Sequence, residues 1–315
     1  MRISGTGSAL PKKVVTNDML SQFLDTSDEW IRTRTGVTSR FVISDERLED
    51  LAAEAATKAL EDAGIKASEL DFIICSNVVN EYITPQLSCM IQGAVGAVCP
   101  CIDINCACAG FIHAIEIAES FYKAGRVRNV LIVCAEEPTR MTDWNDRRTC
   151  VLFGDGAGAA VLTPGDNIRS VKLSAASATD KLWQYRTLQP TPYITKDEAD
   201  VPLQMKGQEV FKFAVTAASK DITRSLEESG FAAEEIDYYL VHQANIRIIN
   251  AIQQYLEQPA EKFPTNVENH GNSSSACCPI LLDECNRKGM FKRGDKIAIS
   301  AFGAGFVSGA VIFEW

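Results

Sequence analysis

The chain has 315 residues, 46% of them hydrophobic, and its 31 basic and 41 acidic residues give a net charge of -10. This size predicts one large domain or two ordinary ones, and the charge argues against a nucleic-acid or anionic-membrane binder. Neither a secretory signal nor the roughly 18 apolar residues of a membrane span is evident, so we expect a cytoplasmic protein whose 11 cysteines stay reduced.

A repeat with a constant offset of 166 residues relates the two halves of the chain. Residues 59–74 (ALEDAGIKASELDFII) and 225–240 (SLEESGFAAEEIDYYL) each predict an amphipathic helix, a glycine C-cap, a turn and an apolar strand. The same offset places the apolar strand 129–134 on the apolar strand 295–300. The sequence therefore predicts a duplicated α/β unit with pseudo-twofold symmetry, divided into residues 1–165 and 166–315.

Four cysteines lie in CPCIDINCACAGF, which begins at residue 99. Their spacing does not fit a structural zinc site, and reduced thiols exclude a disulfide. Cys99, Cys101 and Cys106 are interpreted as packing residues, the first two facing the interior of a sheet. Cys108 differs because it comes just before a predicted buried helix over residues 111–123, whose positive end is expected to lower the thiol pKa. At the repeat offset Cys108 falls on Ser274, so a shared site is expected where the two halves meet.

Two glycine-rich segments come at equivalent places in the halves. FGDGAGAAVL, residues 153–162, leads into a strand rather than a helix, which predicts a tight turn with close backbone packing and not a dinucleotide loop. AFGAGFVSGAVIF, residues 301–313, is similar to it. Such a turn beside a nucleophile can offer backbone N–H groups to an oxyanion.

Three histidines are candidate bases, and their surroundings differ. His113 lies within the apolar helix, which favours a buried structural role. His242 ends the apolar strand 238–241, and α/β sheets place their sites at the carboxyl ends of strands. His270 precedes Gly271 at a predicted turn, where a structural role and a catalytic role are equally compatible with the sequence.

Ordered blocks of this sequence resemble the β-ketoacyl-acyl-carrier-protein synthase III family of thiolase-fold condensing enzymes. CACAGF with Cys108, VHQANIRI with His242 and ENHGNSSSA with Asn272 are similar to the Cys-His-Asn set of that family. DTSDEWIRTRTG, FGDGAGAAVL, MKGQEVFKFAV and AFGAGF extend the resemblance over essentially the whole chain. It implies a thiolase-like α/β fold, with two pseudo-symmetric halves in a layered α-β-α-β-α arrangement.

The resemblance also implies an activity and a set of site residues. The activity is decarboxylative Claisen condensation of an acyl-CoA primer with malonyl-acyl-carrier protein through an acyl-cysteine, which initiates type II fatty acid synthesis. No permanently bound cofactor or metal is implied, coenzyme A enters as a thioester substrate, and a homodimer is expected. The implied residues are Cys108, His242 and Asn272 in catalysis; the backbone N–H groups of Cys108 and Ala304 in an oxyanion hole; Trp30, Arg34, Arg147, Gly207, Phe211, Ala244 and Asn245 at coenzyme A; Lys212, Gln243 and Arg247 at the carrier protein; and Thr84 and Phe302 at the acyl pocket.

Three departures from the family pattern affect these expectations. Ala304 replaces a frequent glycine and would be strained if its φ were positive. Arg148 replaces a residue that is often small and adds charge at the coenzyme entrance. Thr84 replaces a frequent aromatic residue that reaches across the dimer interface, which indicates room for a branched or longer primer.

Two other functions remain open at this stage. One is a ketosynthase or acyltransferase of specialised metabolism with the same nucleophile and a different acceptor, which carrier-protein dependence would distinguish. The other is an interaction protein of this fold that never acylates Cys108, although the retained nucleophile, imidazole and amide argue against it.

Overall fold

The first half of the chain forms a sheet of buried apolar strands in the computed structural model, which describes residues 1–186, 191–193 and 201–315. Strands β6 and β7 are buried at every position, as expected for strands covered on both faces. The elements of this half are β1 (Arg2–Ala9), β2 (Lys13–Thr16), α1 (Asn17–Leu20), α2 (Asp28–Thr35), β3 (Ser39–Val42), α3 (Leu48–Ala63), β4 (Phe72–Ser76), α4 (Leu87–Val95), β5 (Cys101–Ile104), α5 (Gly110–Lys123), β6 (Val130–Glu136) and β7 (Gly156–Thr163).

The second half repeats most of this order with a longer outer helix. Its elements are β8 (Ile168–Ala175), β9 (Leu182–Trp183), β10 (Gln204–Met205), α6 (Gly207–Ser229), β11 (Tyr238–Val241), α7 (Ile246–Leu256), α8 (Val267–His270), α9 (Cys277–Arg287), β12 (Lys296–Gly303) and β13 (Val307–Glu314). The chain passes from the first sheet to the second between Thr163 and Ile168, next to the division at residue 165, which remains a prediction.

The topology of the two main sheets confirms the duplication. The first sheet has the strand order β1-β7-β6-β4-β5, and the second has β8-β13-β12-β11 when it is read in the same direction. In each sheet the first two neighbouring pairs are antiparallel and the third is parallel. Strand β5, which pairs in parallel with β4, has no counterpart in the described part of the second sheet.

Helices cover both sheets and also separate them. α3 and α4 pack on the outer face of the first sheet, and α6 and α7 pack on the outer face of the second. α5 and α9 contact strands of both sheets and share one buried apolar cluster between them. These layers give the α-β-α-β-α arrangement of the thiolase-like fold that the resemblance implied.

Local features of the repeat agree with the sequence at most positions. α3 and α6 both end at a glycine in the left-handed region, Gly64 with φ 64° and Gly230 with φ 76°, as predicted. The predicted offset is wrong by one residue for strands β6 and β12, because Tyr238 pairs with Ile297 whereas its counterpart Phe72 pairs with Val130. The predicted alignment of Cys108 with Ser274 is wrong by one residue as well. The short 3₁₀ turns before α5 and α9 begin at Ala107 and Ser274, both with positive φ, so Cys108 corresponds to Ser275.

Several composition-based expectations concern the whole chain. Within the described ranges, no helix combines the length and the apolar character that a bilayer crossing requires. All eleven cysteines are free thiols. Among the residues whose placement is described, no cluster of three or more histidine, cysteine or acidic side chains could hold a metal ion.

Candidate active site

A cavity of about 300 Å³ opens where the two halves meet, and its size lies in the range of small-molecule sites. Residues of both halves line it, including Cys108, His242 and Asn272. The other predicted residues that line it are Trp30, Arg34, Arg147, Arg148, Gly207, Phe211, Ala244, Asn245, Phe302 and Ala304. Groups that were predicted to act together are thus brought to one cavity.

Cys108 is held in the 3₁₀ turn Ala107–Ala109, directly before the buried helix α5. Its Sγ donates a hydrogen bond to Ser274 Oγ at 3.5 Å. Burial raises the pKa of the Cys108 thiol to about 12, so the expectation of a lowered pKa is wrong for this site. Desolvation destabilises a thiolate in an enclosed cavity and outweighs the stabilisation that the positive end of the α5 dipole offers, so burial favours the neutral thiol at rest.

His242 follows strand β11, and its backbone N–H donates to Ser300 O at 2.8 Å. The residue is 1% exposed, and the edge of its ring packs against Phe302 with centroids 5.1 Å apart. Burial lowers the pKa of His242 to about 3. The imidazole is therefore neutral near pH 7 and can donate one hydrogen bond without carrying a charge.

Asn272 is buried beside the turn that precedes α9. Its backbone N–H donates to Leu152 O at 2.8 Å, and its side-chain Oδ1 accepts from Ser274 N at 2.9 Å. Because Oδ1 is engaged by the backbone, the amide nitrogen Nδ2 is the atom left to donate toward the cavity.

Close approach of two backbone segments brings the loop at Ala304 next to Cys108. A Cβ atom on Gly303 would lie 2.7 Å from Cys108 N, so only glycine permits this contact at the end of β12. Ala304 does not have a positive φ, whereas Gly305 has φ 142°. The alanine that departs from the family pattern is therefore not strained.

The predicted adenine site is closed in this structure. The guanidinium carbon of Arg147 lies 4.9 Å from the ring centroid of Trp30, and that of Arg34 lies 4.5 Å from it. A purine between two flat groups needs about 7 Å, twice the ordinary contact separation of roughly 3.5 Å. Arg147, which also contacts Asp25, must move before adenine can enter. Arg148 forms an ion pair with Asp146 at 2.8 Å, which offsets the charge it adds to the entrance.

Four predicted residues do not line the cavity: Thr84, Lys212, Gln243 and Arg247. Thr84, Lys212 and Arg247 are exposed, so their predicted contacts with other molecules remain predictions. The prediction that Gln243 contacts a carrier protein directly is wrong, because this residue is 0% exposed. Its amide donates to Val241 O, and its Oε1 accepts from two backbone N–H groups at residues 266 and 267.

The remaining histidines have structural contacts. His113 lies in α5, with Nδ1 3.0 Å from Ala109 O one turn earlier. His270 lies outside the cavity lining, its Nε2 2.6 Å from Glu284 Oε1 and its ring against Phe41.

The other predictions for the cysteines and glycines have mixed outcomes. Cys99 is buried, as expected, but Cys101 begins the edge strand β5 and is partly exposed, with Sγ 3.4 Å from Cys89 Sγ. The glycine-rich segment 153–162, which runs into β7, packs closely, since a Cβ on Gly158 in that strand would lie 2.7 Å from Ile280 N.

Sequence reasoning missed several residues that shape the site. Phe213 and Phe306 stack at 4.1 Å with an interplanar angle of 14° and line the cavity together. Phe213 lies in the block MKGQEVFKFAV, where its i, i+3 spacing from Val210 could have indicated a cavity-facing helix. Ser274 and Glu136, which lie behind Cys108, were also missed; the repeat pointed to Ser274, but nothing in the sequence indicated Glu136.

Comparisons with known proteins identify relatives that match this chain along its whole length. The family model for 3-oxoacyl-[acyl-carrier-protein] synthase III matches residues 102–180, and the model for its C-terminal part matches residues 226–315. A β-ketoacyl-[acyl-carrier-protein] synthase III of Clostridium acetobutylicum is 42% identical, over 100% of this chain and 98% of the relative.

Solved structures are similar over the same extent. The 3-oxoacyl-[acyl-carrier-protein] synthase III of Aquifex aeolicus has a TM-score of 0.93 and 39% identity, and the match covers 100% of this chain and 99% of the other. The priming β-ketosynthase of a polyketide biosynthetic pathway has a TM-score of 0.94 and 33% identity, over 99% of this chain and 95% of the other.

The neutral His242 gives a prediction for the pH dependence of stability. The unfolded chain binds a proton at His242 below pH about 6.5, and the folded chain binds it only near pH 3. The free energy of unfolding should therefore fall as the pH drops below 6.5, by ~1.4 kcal/mol per pH unit from this residue. Urea unfolding of wild type and His242→Gln across this interval should show that the variant loses less stability. Parallel curves for the two proteins would contradict the assigned pKa.

Proposed function

The chain belongs to the β-ketoacyl-acyl-carrier-protein synthase III family, the condensing acyltransferases that initiate type II fatty acid synthesis, and from this premise we propose roles for its own residues. Cys108 is the nucleophile, and His242 and Asn272 are the donors that stabilise the condensation step. The observation that carries this proposal is the shared cavity, to which the first half contributes the thiol and the second half contributes the imidazole and the amide.

Acyl transfer is the first step. Cys108 Sγ attacks the carbonyl carbon of the acyl-CoA thioester, and coenzyme A leaves with the electron pair of the broken C–S bond. Negative charge develops on the carbonyl oxygen during this attack. The backbone N–H groups of Cys108 and Ala304 are proposed as its donors, and the close approach at Gly303 supports that role.

Condensation is the second step. Malonyl-acyl-carrier protein loses carbon dioxide, and the enolate that remains attacks the acyl-cysteine. The enolate oxygen needs donors that do not protonate it outright. The neutral imidazole of His242 and the Nδ2 of Asn272 meet this requirement, since each presents an N–H group without a positive charge.

The entrance to the cavity is proposed to bind coenzyme A and the acyl-carrier protein. Trp30 and Arg147 would hold the adenine of coenzyme A between flat faces once they separate, and Arg34 would lie near the phosphates. Gly207, Phe211, Ala244 and Asn245 would line the pantetheine path. The exposed cations Lys212 and Arg247 would receive the acidic carrier protein, which a chain of net charge -10 would otherwise repel.

A homodimer and a cytoplasmic location complete the proposal. Ile83 is 70% exposed beside Thr84, and an exposed apolar segment of this kind is typical of an interface. In such a dimer, Thr84 of one copy would face the acyl pocket of the other, next to Phe302. The eleven free cysteines support a reducing compartment.

The alternative in specialised metabolism differs in the acceptor. The priming β-ketosynthase noted above shares the fold at 33% identity, while the family models and the Clostridium relative carry the name synthase III. Turnover that requires malonyl-acyl-carrier protein supports fatty acid initiation, and turnover with another malonyl carrier would support the alternative.

Substitution of the three proposed groups separates the two steps. Cys108→Ala should abolish acyl-enzyme formation, which intact mass spectrometry detects, while the neighbouring control Cys106→Ala should acylate as wild type does. His242→Ala and Asn272→Ala should still be acylated but should lose about 100- to 1000-fold in condensation, because each removes one oxyanion donor. Condensation at the wild-type rate in the His242 variant would overturn the assigned roles.

Stacking at the entrance gives a second prediction. Trp30→Ala should raise the KM for acyl-CoA about 10-fold at unchanged kcat, since base–aromatic stacking contributes roughly 1–3 kcal/mol and acts equally on ground and transition states. Steady-state kinetics would show this, with Trp30→Phe as the control that retains a stacking face. An unchanged KM in the alanine variant would exclude Trp30 from coenzyme binding.

Primer selection tests the proposal for Thr84. The wild-type enzyme should acylate faster with butanoyl- or longer acyl-CoA than with acetyl-CoA, and Thr84→Phe should reverse that preference by filling the pocket of the opposite copy. Acyl-enzyme formation with a panel of acyl-CoAs, together with light scattering for the oligomeric state, would measure both. Equal rates for all primers, or a monomeric protein, would refute this role.

A further inference from the structure

A chain of hydrogen bonds leads from the nucleophile, away from the cavity, to a buried carboxyl group. Cys108 Sγ donates to Ser274 Oγ at 3.5 Å, and Ser274 Oγ donates to Glu136 Oε1 at 3.2 Å. The direction of donation therefore runs from the sulfur through the hydroxyl to the carboxylate.

Glu136 is held firmly at the end of this chain. It ends β6 and is 1% exposed. Ser275 Oγ donates to its Oε1 at 2.5 Å, and Val78 N donates to its Oε2 at 3.2 Å. Within the described part of the chain no lysine or arginine forms an ion pair with it. A buried carboxyl group with hydroxyl and amide donors but no cation has no electrostatic partner that would fix its charge.

Among the described residues, the titratable groups on which the charge of Glu136 acts most strongly are thiols. Cys134 lies on its own strand, Cys75 on β4, Cys108 in the turn before α5 and Cys277 at the start of α9. Burial raises the pKa of each of these thiols above its ordinary value. Burial also raises the pKa of Glu136, to about 7. Glu136 is therefore the group of this cluster that can exchange a proton near neutral pH.

We propose that Glu136 accepts the proton of Cys108 during acyl transfer, through the hydroxyl of Ser274. This inference rests on the proposed function, in which the Cys108 thiol attacks acyl-CoA. As the S–C bond forms, the thiol proton passes to Ser274 Oγ, and the proton of that hydroxyl passes to Glu136 Oε1. The tetrahedral intermediate then expels coenzyme A as a thiolate, which takes a proton from solvent. No free Cys108 thiolate has to form in the enclosed cavity, where burial opposes it.

The proton returns during condensation. When the enolate attacks the acyl-cysteine, the C–C bond forms, the C–S bond breaks, and the departing Cys108 sulfur takes the proton of Ser274 Oγ. Glu136 gives its proton to Ser274 Oγ in the same step, and both residues regain their starting states. The one proton that the overall reaction consumes, as carbon dioxide leaves, is the proton that coenzyme A takes from solvent.

The pH profile of acylation tests this proton relay from Cys108 through Ser274 to Glu136. Glu136→Gln preserves the shape and hydrogen bonding of the side chain but cannot accept a proton. Single-turnover acylation by acetyl-CoA, followed by intact mass spectrometry, should be about 100-fold slower in this variant at neutral pH, as expected for loss of a general base. The loss should shrink at alkaline pH, where hydroxide takes the thiol proton. The wild-type rate should rise as the pH passes about 7, where Glu136 ionises, and the variant should lack that rise.

The adjacent Glu137 supplies a matched control. Burial also raises the pKa of Glu137 to about 7, but Glu137 pairs with Arg140 at 3.3 Å and makes no contact with Ser274. Glu137→Gln should therefore keep the wild-type rate and pH profile. Ser274→Ala removes the hydroxyl and leaves Glu136 in place. This variant should therefore also acylate more slowly at neutral pH, and the difference from wild type should again shrink at alkaline pH. The double variant Ser274→Ala/Glu136→Gln should be no slower than either single variant.

Each outcome decides between the relay and its alternatives. Glu136→Gln acylating at the wild-type rate, or losing the same factor at every pH, would overturn the relay, because a purely structural role has no pH signature. If Glu136→Gln does not fold, Ser274→Ala decides alone, and a wild-type rate in that variant overturns the proposal. Wild-type enzyme that is never acylated would instead overturn the proposed function.

Discussion

The structure depends on the burial of α5 and α9 between two apolar sheets. Each helix contacts strands of both sheets, so neither sheet can shift without exposing the inner face of the other. Both helices begin at turns that contain a residue with positive φ, Ala107 and Ser274. The thiol and the amide are thereby attached to the most deeply packed elements of the molecule, and rigid elements hold site geometry better than exposed loops do.

The duplication produces two equivalent corners with different chemistry. By the strand registers, His242 corresponds to Ser76 and Gly303 to Glu136, and by the turn geometry Cys108 corresponds to Ser275. One corner opens on the cavity and holds a thiol and an imidazole, with glycine in the place of the carboxyl-bearing residue. The other is closed and holds two hydroxyls and a carboxyl group, joined by a hydrogen bond of 3.0 Å between Ser76 and Ser275 and one of 2.5 Å between Ser275 and Glu136.

Burial determines the charge state of the site. It raises the pKa of the Cys108 thiol to about 12 and lowers that of His242 to about 3, so burial favours the neutral thiol and the neutral imidazole. Burial also strengthens every hydrogen bond that the site offers to a developing oxyanion, because the local dielectric is low. The same low dielectric makes a free thiolate costly, and so the fate of the thiol proton becomes part of the chemistry.

The sequence by itself determined the duplicated unit, the helix C-caps at Gly64 and Gly230, and His242 at the end of a strand. It also singled out Cys108, the one of the four clustered cysteines that lines the cavity. These features follow from periodicity, spacing and local backbone preference, which are properties of the local sequence. Only the tertiary structure decided the one-residue shift that pairs Cys108 with Ser275, the complete burial of Gln243 and the direction of the thiol pKa shift. The link between Ser274 and Glu136 joins residues 138 positions apart. Burial, dielectric environment and such contacts depend on which distant segments pack together, and no local pattern encodes that.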